Sequence, residues 1–468
     1  MIRIDVLPDD VLLEILDFYM ALMSPPFLDR RGVEAWQLLV HVCRRWRNLI
    51  FESPRRLNLR LFCTTQTPAR NALDVWPPFP LLVWSTVLTG SLAGTDNVIA
   101  ALEQSNRVCL VNLHVTGWKL EKVLAPMQVS FPELTDLRLS LHGEIPIIPD
   151  SFLGGSAPRL RFLQLDNIPF PGLPKLLLST THLVDLFLHN IPHSGYISPK
   201  AMVALLSALS SLEALHLGFE SPQSRPHRET QSLPPPKRSV LTSLHEFRFK
   251  GITEYLEELI TCIDTPQLEY MVIILFNQVD FDCPRLAQFI NCTPILRAFH
   301  DAHVRFDDST ACVTLRYRES KLGHYGLDIN ILCREQDRQL SSIKQVCNFC
   351  LPPLPTIEDL YIEHRYSELI WKNETIDDTL WLELLLSFTA VKDLYISKEF
   401  APGIAAALQA LVGARIIDAL ATLQNIFVER LEPSESGPFQ ENIGQFVAAR
   451  QLSNRPITIS RWDMPEDQ

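Results

Sequence analysis

"FPELTDLRLSL" (Phe131–Leu141), "APRLRFLQLDN" (Ala157–Asn167) and "LSSLEALHLGF" (Leu209–Phe219) are one phrase written three times. Each holds an L-x-x-L-x-L core, and six further copies follow the same rhythm: "THLVDLFLHNI", "LTSLHEFRFKG", "TPQLEYMVIIL", "LPTIEDLYIEH", "FTAVKDLYISK" and "LATLQNIFVER". The first apolar positions are Leu134, Leu160, Leu183, Leu212, Leu244 and Leu268, spaced 26, 23, 29, 32 and 24 residues apart. Val108, in "RVCLVNLHV", begins the series 26 residues earlier. Side chains alternate along a strand, so the leucines of each phrase share the inner face and the residues between them point outward.

A short strand recurring at that period is the pattern of leucine-rich repeats, in which each turn buries its apolar side only against its neighbours. The intervals leave room for a returning helix. "SPKAMVALLSALSS" offers one, with Ser198 as N-cap and Pro199 in the first turn, and "TEYLEELITCI", "DCPRLAQFIN", "DDTLWLELLLSF" and "PGIAAALQALV" offer more. The expected fold is therefore α/β: a solenoid, bent as a horseshoe, with a parallel sheet on its concave face. The outward position between the second and third apolar residues gives a column: Arg138, Gln164, Phe187, His216, Arg248, Val272, Tyr361, Tyr395 and Phe427. Aromatics, Arg and His in one column are the composition of protein interfaces, so these residues, Val272 apart, are the candidate target-binding set.

Two stretches interrupt the rhythm. "ESPQSRPHRETQSLPPPKRS" (Glu220–Ser239) is polar and proline-rich and reads as a mobile loop. Between residues 296 and 356 the repeat is degenerate, and "TACVTLRYRESKLGHYGLDINIL" (Thr310–Leu332) alternates like an antiparallel pair. "PSESGPFQENIGQFVAARQL" then reads as a helix closing the solenoid. The expected organisation is an N-terminal helical unit over 1–60, a connecting segment and cap over 61–107, irregular repeats over 108–431 with the loop at 220–239, and a C-terminal cap and tail over 432–468.

Composition narrows the function. The 468 residues are 47% hydrophobic and 21% charged, as in a folded globular protein, and carry a formal net charge of -12. An acidic chain is a poor nucleic-acid binder, because such binding rests on clustered Lys and Arg. Asp5, Asp9, Asp10, Glu14 and Asp17 leave no signal-peptide core at the start, and the Ala-rich stretch near residue 401 is broken by Arg415 and Asp418, so neither export nor a membrane span is expected. The expected location is cytoplasmic, nuclear or both. The ten cysteines lie scattered in apolar segments and read as reduced.

The N-terminus is a different unit. In "LPDDVLLEILDFYM", Pro8 suits the first helical turn and Asp9 and Asp10 suit the positive end of the helix dipole. Leu12, Ile15, Leu16 and Tyr19 fall on one face. A second helix is expected from Val33 to Phe51, with apolar residues on two faces, more than one partner helix can cover. A unit of about 50 residues is marginal by itself, so the surplus face calls for a partner.

"LPDDVLLEIL…LVHVCRRWRNLIFESPRRL" resembles the F-box family, with its Leu-Pro opening, apolar helix and Val42-Cys43-Arg44-x-Trp46 cluster. Through "SPRRLNLRLFCT" and "LDVWPPFPLLV" it is similar to the large F-box family of basidiomycete fungi. The resemblance covers residues 4–51 and, in its more specific form, runs to about residue 115. "MSPPFLDRRGVEAW" between the helices is longer than in compact F-boxes. The resemblance implies docking on a Skp-type adaptor of an SCF (Skp–cullin–F-box) ubiquitin ligase through Leu7, Pro8, Leu12, Ile15, Leu16, Val42, Cys43 and Trp46.

No catalytic motif accompanies this: there is no P-loop, GxGxxG, GxSxG or HExxH. Cys347-Asn-Phe-Cys350 is a lone CxxC without a second pair, and His300 with His303, spaced i, i+3, lack neighbours at ligand spacing. Glu257-Glu258 reads as a solvated helix face. No cofactor, metal, nucleic acid or membrane partner is expected. The expected function is non-catalytic: a substrate-recognition subunit of the ligase, with cullin-complex partners and an unidentified target held by the repeats. The alternative is a repeat-based scaffold unconnected with degradation. A hydrolase within residues 296–356 has no motif behind it.

Overall fold

A computed structural model describes the chain except residues 1–6, 24–34, 67–68, 86–91, 144–146, 225–237, 279–280, 282, 298, 318–325, 353, 355, 365–377, 412–419, 430–437 and 463–468. Most of the segment read as a mobile loop, and Leu431 with the start of the closing segment, thus lie outside the described residues. The chain divides into two compact units. The first comprises Met1–Ile197, Ala208–Leu212 and Ser224–Pro226; the second comprises the remainder.

The first unit opens with α1 (Asp9–Met23), α2 (Ala35–Leu39) and α3 (Arg44–Glu52). The single second helix expected from Val33 to Phe51 is broken in two. Cys43 is extended and caps α3, its sulfur accepting from Trp46 N at 3.5 Å, while Arg47 Nε donates to the Val40 carbonyl at 3.0 Å across the break. Helix-end groups at the break thus find partners. Arg45 clips α3 to the start of α1, donating to Asp9 Oδ1 at 2.6 Å and to the Leu7 carbonyl at 2.5 Å.

These helices share a compact unit with the first strands. Trp36 is the link: its indole N–H donates to the Arg60 carbonyl at 3.0 Å, and its ring meets Trp76 at 5.1 Å and Phe79 at 5.4 Å, both edge-on. The strands are β1 (Leu61–Cys63), β2 (Leu81–Ser85), β3 (Val108–Thr116), β4 (Asp136–His142), β5 (Phe162–Asp166) and β6 (Asp185–Ile191). They pair in chain order, each parallel to the next. Helices α4 (Ala69–Val75), α5 (Leu92–Leu102), α6 (Gly117–Leu124) and α7 (Leu173–Leu177) fill the return paths. Leu134, Leu137, Leu139, Leu160, Leu163, Leu165, Leu183, Leu186 and Leu188 are all buried, the pattern the repeats require.

The second unit begins with α8 (Pro199–Leu206), where Ser198 caps through its hydroxyl, accepting from Ala201 N at 3.3 Å. β7 (Ala214–Phe219) follows, then β8 (Ser239–Val240), β9 (Glu246–Gly251), α9 (Thr253–Thr261), β10 (Ile263–Asp264) and β11 (Tyr270–Phe276). β8 and β10 form a small parallel pair of their own. After α10 (Pro284–Cys292) come β12 (Asp301–Phe306), β13 (Thr310–Arg316), β14 (Gly326–Leu332) and α11 (Gln336–Gln345). The last turns are β15 (Asp359–His364), α12 (Asp378–Leu386), β16 (Asp393–Ile396), α13 (Ala401–Gln409), β17 (Asn425–Glu429), α14 (Pro438–Leu452) and β18 (Thr458–Trp462).

The main sheet of this unit runs β7-β9-β11-β14-β13-β12-β15-β16-β17-β18. All of its neighbours are parallel except at β13, which is antiparallel to both β14 and β12. The degenerate region is therefore an antiparallel meander set into a parallel sheet. Its first turn is fixed by Asp307, whose carboxylate accepts from the backbone N–H groups of Ser309 at 2.8 Å and Thr310 at 2.6 Å. Gly326, at φ 150, opens β14 where an added Cβ would lie 2.3 Å from the Leu315 carbonyl oxygen. His300 and His303 lie before and within β12, on a strand rather than a shared helical face.

Glu257 does not idle on a solvated surface. From α9 it caps the following helix, α10, accepting from the backbone N–H groups of Arg285 at 3.1 Å and Leu286 at 2.8 Å. A carboxylate there satisfies orphan donors and suits the helix dipole.

Candidate functional site

Strand register decides which outward residues are neighbours. In the first unit, Trp84, Asn112, Arg138, Gln164 and Phe187 lie in one row across β2 to β6. The Arg138 guanidinium sits 4.1 Å from the centre of the Phe162 ring, which meets Phe187 edge-on at 5.1 Å.

In the second unit one row crosses the whole main sheet: His216, Arg248, Val272, Asp328, Thr314, His303, Tyr361, Tyr395, Phe427 and Ser460. Asp328, Thr314 and His303 were missed in the sequence because the L-x-x-L-x-L phrase is absent there. Their strict alternation of outward and inward residues was the available signal.

The row has two parts of different character. Toward β7 its polar groups are occupied with one another. Glu246 accepts from Arg248 Nε at 2.5 Å and lies 2.9 Å from His216 Nε2. Burial alone would raise the Glu246 carboxyl, but the bonds and charges of Arg248 and His216 outweigh it and hold the group below its usual range. Tyr270 donates to Asp328 at 3.0 Å, and burial together with that carboxylate pushes its hydroxyl up to about 12.

From β12 to β17 the row is a stack of rings. His303 and Tyr361 are 4.3 Å apart and 5° from parallel; Tyr361 and Tyr395 are 4.2 Å apart at 8°; Tyr395 and Phe427 are 4.6 Å apart at 9°. Parallel strands in register place equivalent side chains about 4.8 Å apart, which suits stacked rings. Trp462 on β18 closes the group, 5.5 Å from Tyr395 and 6.0 Å from Tyr361.

Carboxylates flank the stack on one side. Asp301, Asp359, Asp393 and Asn425 share the adjoining row, with the Asn425 amide donating to Asp393 at 2.6 Å. Burial, and after it the charge of Asp393, raise the Asp359 carboxyl above its usual range. Burial and the charges of Asp359 and Asp393 raise the Tyr395 hydroxyl. On the other side Arg305 Nε donates to Glu363 at 3.0 Å, and His303 lies 3.3 Å from Asp301 and 3.5 Å from Glu363. Burial would raise Glu363, yet His303 and Arg305 hold it low.

The second candidate surface is on the N-terminal helices. Ile15 is 42% exposed and Val42 60%, while Leu12 and Leu16 are 0% and 1% exposed and belong to the interior. Pro8 and Cys43 are exposed, and Leu7 and Trp46 half-buried. Val11 and Phe18, the latter 68% exposed, extend the stripe at i, i+4, i+7 with Ile15, and Leu38 is exposed as well. The expected adaptor-facing set leaves out Val11, Phe18 and Leu38, because which of two apolar faces turns inward depends on how α2 and α3 divide.

Among the described residues no group of three or more His, Cys, Asp or Glu is placed to hold a metal ion. All ten cysteines are free thiols, and burial pushes the Cys347 thiol up, away from a reactive thiolate. No helix among the described residues is long and apolar enough to cross a membrane.

No family model matches the chain. No curated protein matches it either. Among solved structures, a likeness is found to the leucine-rich repeat-containing protein LegL7 from Legionella pneumophila, at 13% identity and a TM-score of 0.28, covering 86% of this chain and 99% of that one. So loose a likeness transfers nothing, and the repeat architecture here stands on strand register and buried leucines.

Proposed function

We infer that this chain is a non-catalytic protein-binding repeat module whose outward sheet face, from β12 to β18, holds a partner protein. The observation that carries the reading is the ring stack of His303, Tyr361, Tyr395 and Phe427, closed by Trp462. Half-buried aromatics grouped on one face are the side chains that anchor protein interfaces. The test is site-specific photo-crosslinking in cells, with the photoreactive residue at the exposed Ser460, one strand from Phe427 in the row, and at the exposed Leu386 on α12 as the control. One discrete crosslinked protein from Ser460 alone is expected. Equal crosslinking from both positions would end the reading.

A second reading rests on the apolar stripe of Val11, Ile15, Phe18, Leu38 and Val42. Five exposed apolar side chains, three on α1, one on α2 and Val42 in the turn that follows it, offer apolar surface that invites a partner. Joined to the F-box resemblance, the stripe makes the chain a substrate-recognition subunit of an SCF-type ubiquitin ligase, with a Skp-type adaptor on the helices and the target on the sheet. The chain would then act by position, raising the effective concentration of target lysines near the ligase. Stoichiometric co-purification with a Skp-type adaptor, lost in an Ile15→Asp/Phe18→Asp variant, is the expected result. A folded parent chain that leaves the adaptor unbound sends this reading back to the plain scaffold.

A further inference from the structure

The charge around the ring stack narrows what the partner presents. Among the described residues, Arg305 and Lys392 at this part of the face are already engaged, Arg305 with Glu363 at 3.0 Å and Lys392 at the foot of β16 with Glu358 at 2.6 Å. Asp359 and Asp393 stand side by side in register, and among the described residues neither is paired with a lysine or arginine. Their polar neighbours are each other, joined by a side-chain hydrogen bond, then His300, whose Nε2 is 3.8 Å from Asp359, and the Asn425 amide on Asp393. Two half-buried carboxyl groups on neighbouring strands about 4.8 Å apart, beside an apolar stack, are thus held together without a lysine or arginine among the described residues.

Stacked rings cover one another's faces and show solvent their edges, the positive end of the ring quadrupole. The rings therefore favour an apolar stem and the carboxylates favour its charged head. A guanidinium is the head that fits: its planar fork of five N–H donors bridges two carboxylates, which an ammonium point charge does less well. A metal ion suits the site poorly, since no three-ligand cluster is present among the described residues.

We propose, resting on the protein-binding reading above, that this face takes an arginine side chain from an extended segment of the partner protein. The guanidinium bridges Asp359 and Asp393, and the methylene stem lies along the edges of Tyr361 and Tyr395 and against Trp462. The sheet face thereby selects partners by charge as well as by shape.

The test uses the full chain and three fluorescein-labelled eight-residue probes: alternating serine with arginine, with lysine, and with citrulline, the neutral isostere of arginine. Fluorescence anisotropy should rank them arginine, lysine, citrulline. Asp359→Asn/Asp393→Asn should weaken the arginine probe about tenfold. Asp74→Asn/Glu254→Gln, which removes the same charge from elsewhere, should leave it unchanged. Equal weakening by both variants means attraction by the net charge alone and overturns the proposal, as does equal binding of the arginine and citrulline probes. The Ser460 crosslink separates this from the wider reading. A crosslinked partner lost in Asp359→Asn/Asp393→Asn supports arginine recognition. A partner retained in that variant overturns it while the protein-binding reading stands, and no partner at all ends both.

Discussion

Replacing the middle ring of the stack by leucine, Tyr395→Leu, keeps an apolar side chain in the strand and removes two parallel contacts at once, to Tyr361 at 4.2 Å and to Phe427 at 4.6 Å. Each stacked pair is worth about 0.5–1.5 kcal/mol beyond the area it buries, so local stability should fall by about 1–3 kcal/mol. Double-mutant cycles sharpen the expectation. Tyr361→Leu with Tyr395→Leu, and Tyr395→Leu with Phe427→Leu, should each show coupling of about 0.5–1.5 kcal/mol. The outer pair, Tyr361→Leu with Phe427→Leu, is separated by the Tyr395 ring and should add to within about 0.5 kcal/mol. Native-state hydrogen exchange on β15, β16 and β17 is the suitable assay, because it reads local opening and needs no single global transition. Coupling of the outer pair as large as that of the neighbours, or none anywhere, would mean that the rings do not form a nearest-neighbour stack.

Four further outcomes are expected. Glu257→Ala removes the cap that α9 supplies to α10 and should cost about 1–2 kcal/mol, read as faster exchange at the amides of Arg285 and Leu286. Gly326→Ala places a Cβ against the Leu315 carbonyl at a positive φ and should cost about 2 kcal/mol or more, seen as loss of protection in β13 and β14. Asp359 has a folded pKa above its unfolded value, so its favourable contribution exists at low pH and is lost as pH rises through the folded value. Asp359→Asn should therefore raise the melting temperature at neutral pH, with the gain closing as both chains are acidified below the carboxylate range. Finally, Leu12→Asp should unfold the N-terminal helices, whereas Ile15→Asp should leave their circular dichroism intact, because only the first is interior.

The repeats were legible because each leucine of L-x-x-L-x-L answers to one local rule, alternation along a strand, and one period, the length of a strand and its return. Leu137, Leu163, Leu186 and Leu215 are buried for that reason. Ser198 was equally readable as a cap, since its partner is three residues away. The ring stack was half legible: Tyr361, Tyr395 and Phe427 occupy the predicted column, but stacking depends on parallel register between residues more than 30 positions apart in the chain. Glu257 was misread because its partners belong to the next helix. In α1 the pattern marked Leu12, Ile15 and Leu16 as one face, and packing split them, burying two and leaving Ile15 outside.

The meander of β12 to β14 shows why a repeat can lapse in sequence without interrupting the face it builds. A parallel strand needs a crossover of a dozen or more residues, whereas antiparallel steps need only a turn. Here the chain passes from β11 to a strand position three places away, lays down β12 beside the future β15, and walks back through β13 to β14 beside β11. Three strands are thus gained within Asp301–Leu332, a length that elsewhere yields about one strand and its helix. The cost falls on the back of the sheet, where among the described residues no helix follows β12 or β13. Helix α11 covers that side over β13 and β14, with Leu340 and Ile343 buried. It is pinned by the buried Gln339, whose amide donates to the carbonyls of Asp307 and Cys333, both at 2.8 Å. What the leucine phrase loses here the outward row keeps: His303 enters in register with Tyr361 and becomes the first ring of the stack. The departure from the repeat is therefore what sets one end of the candidate binding face.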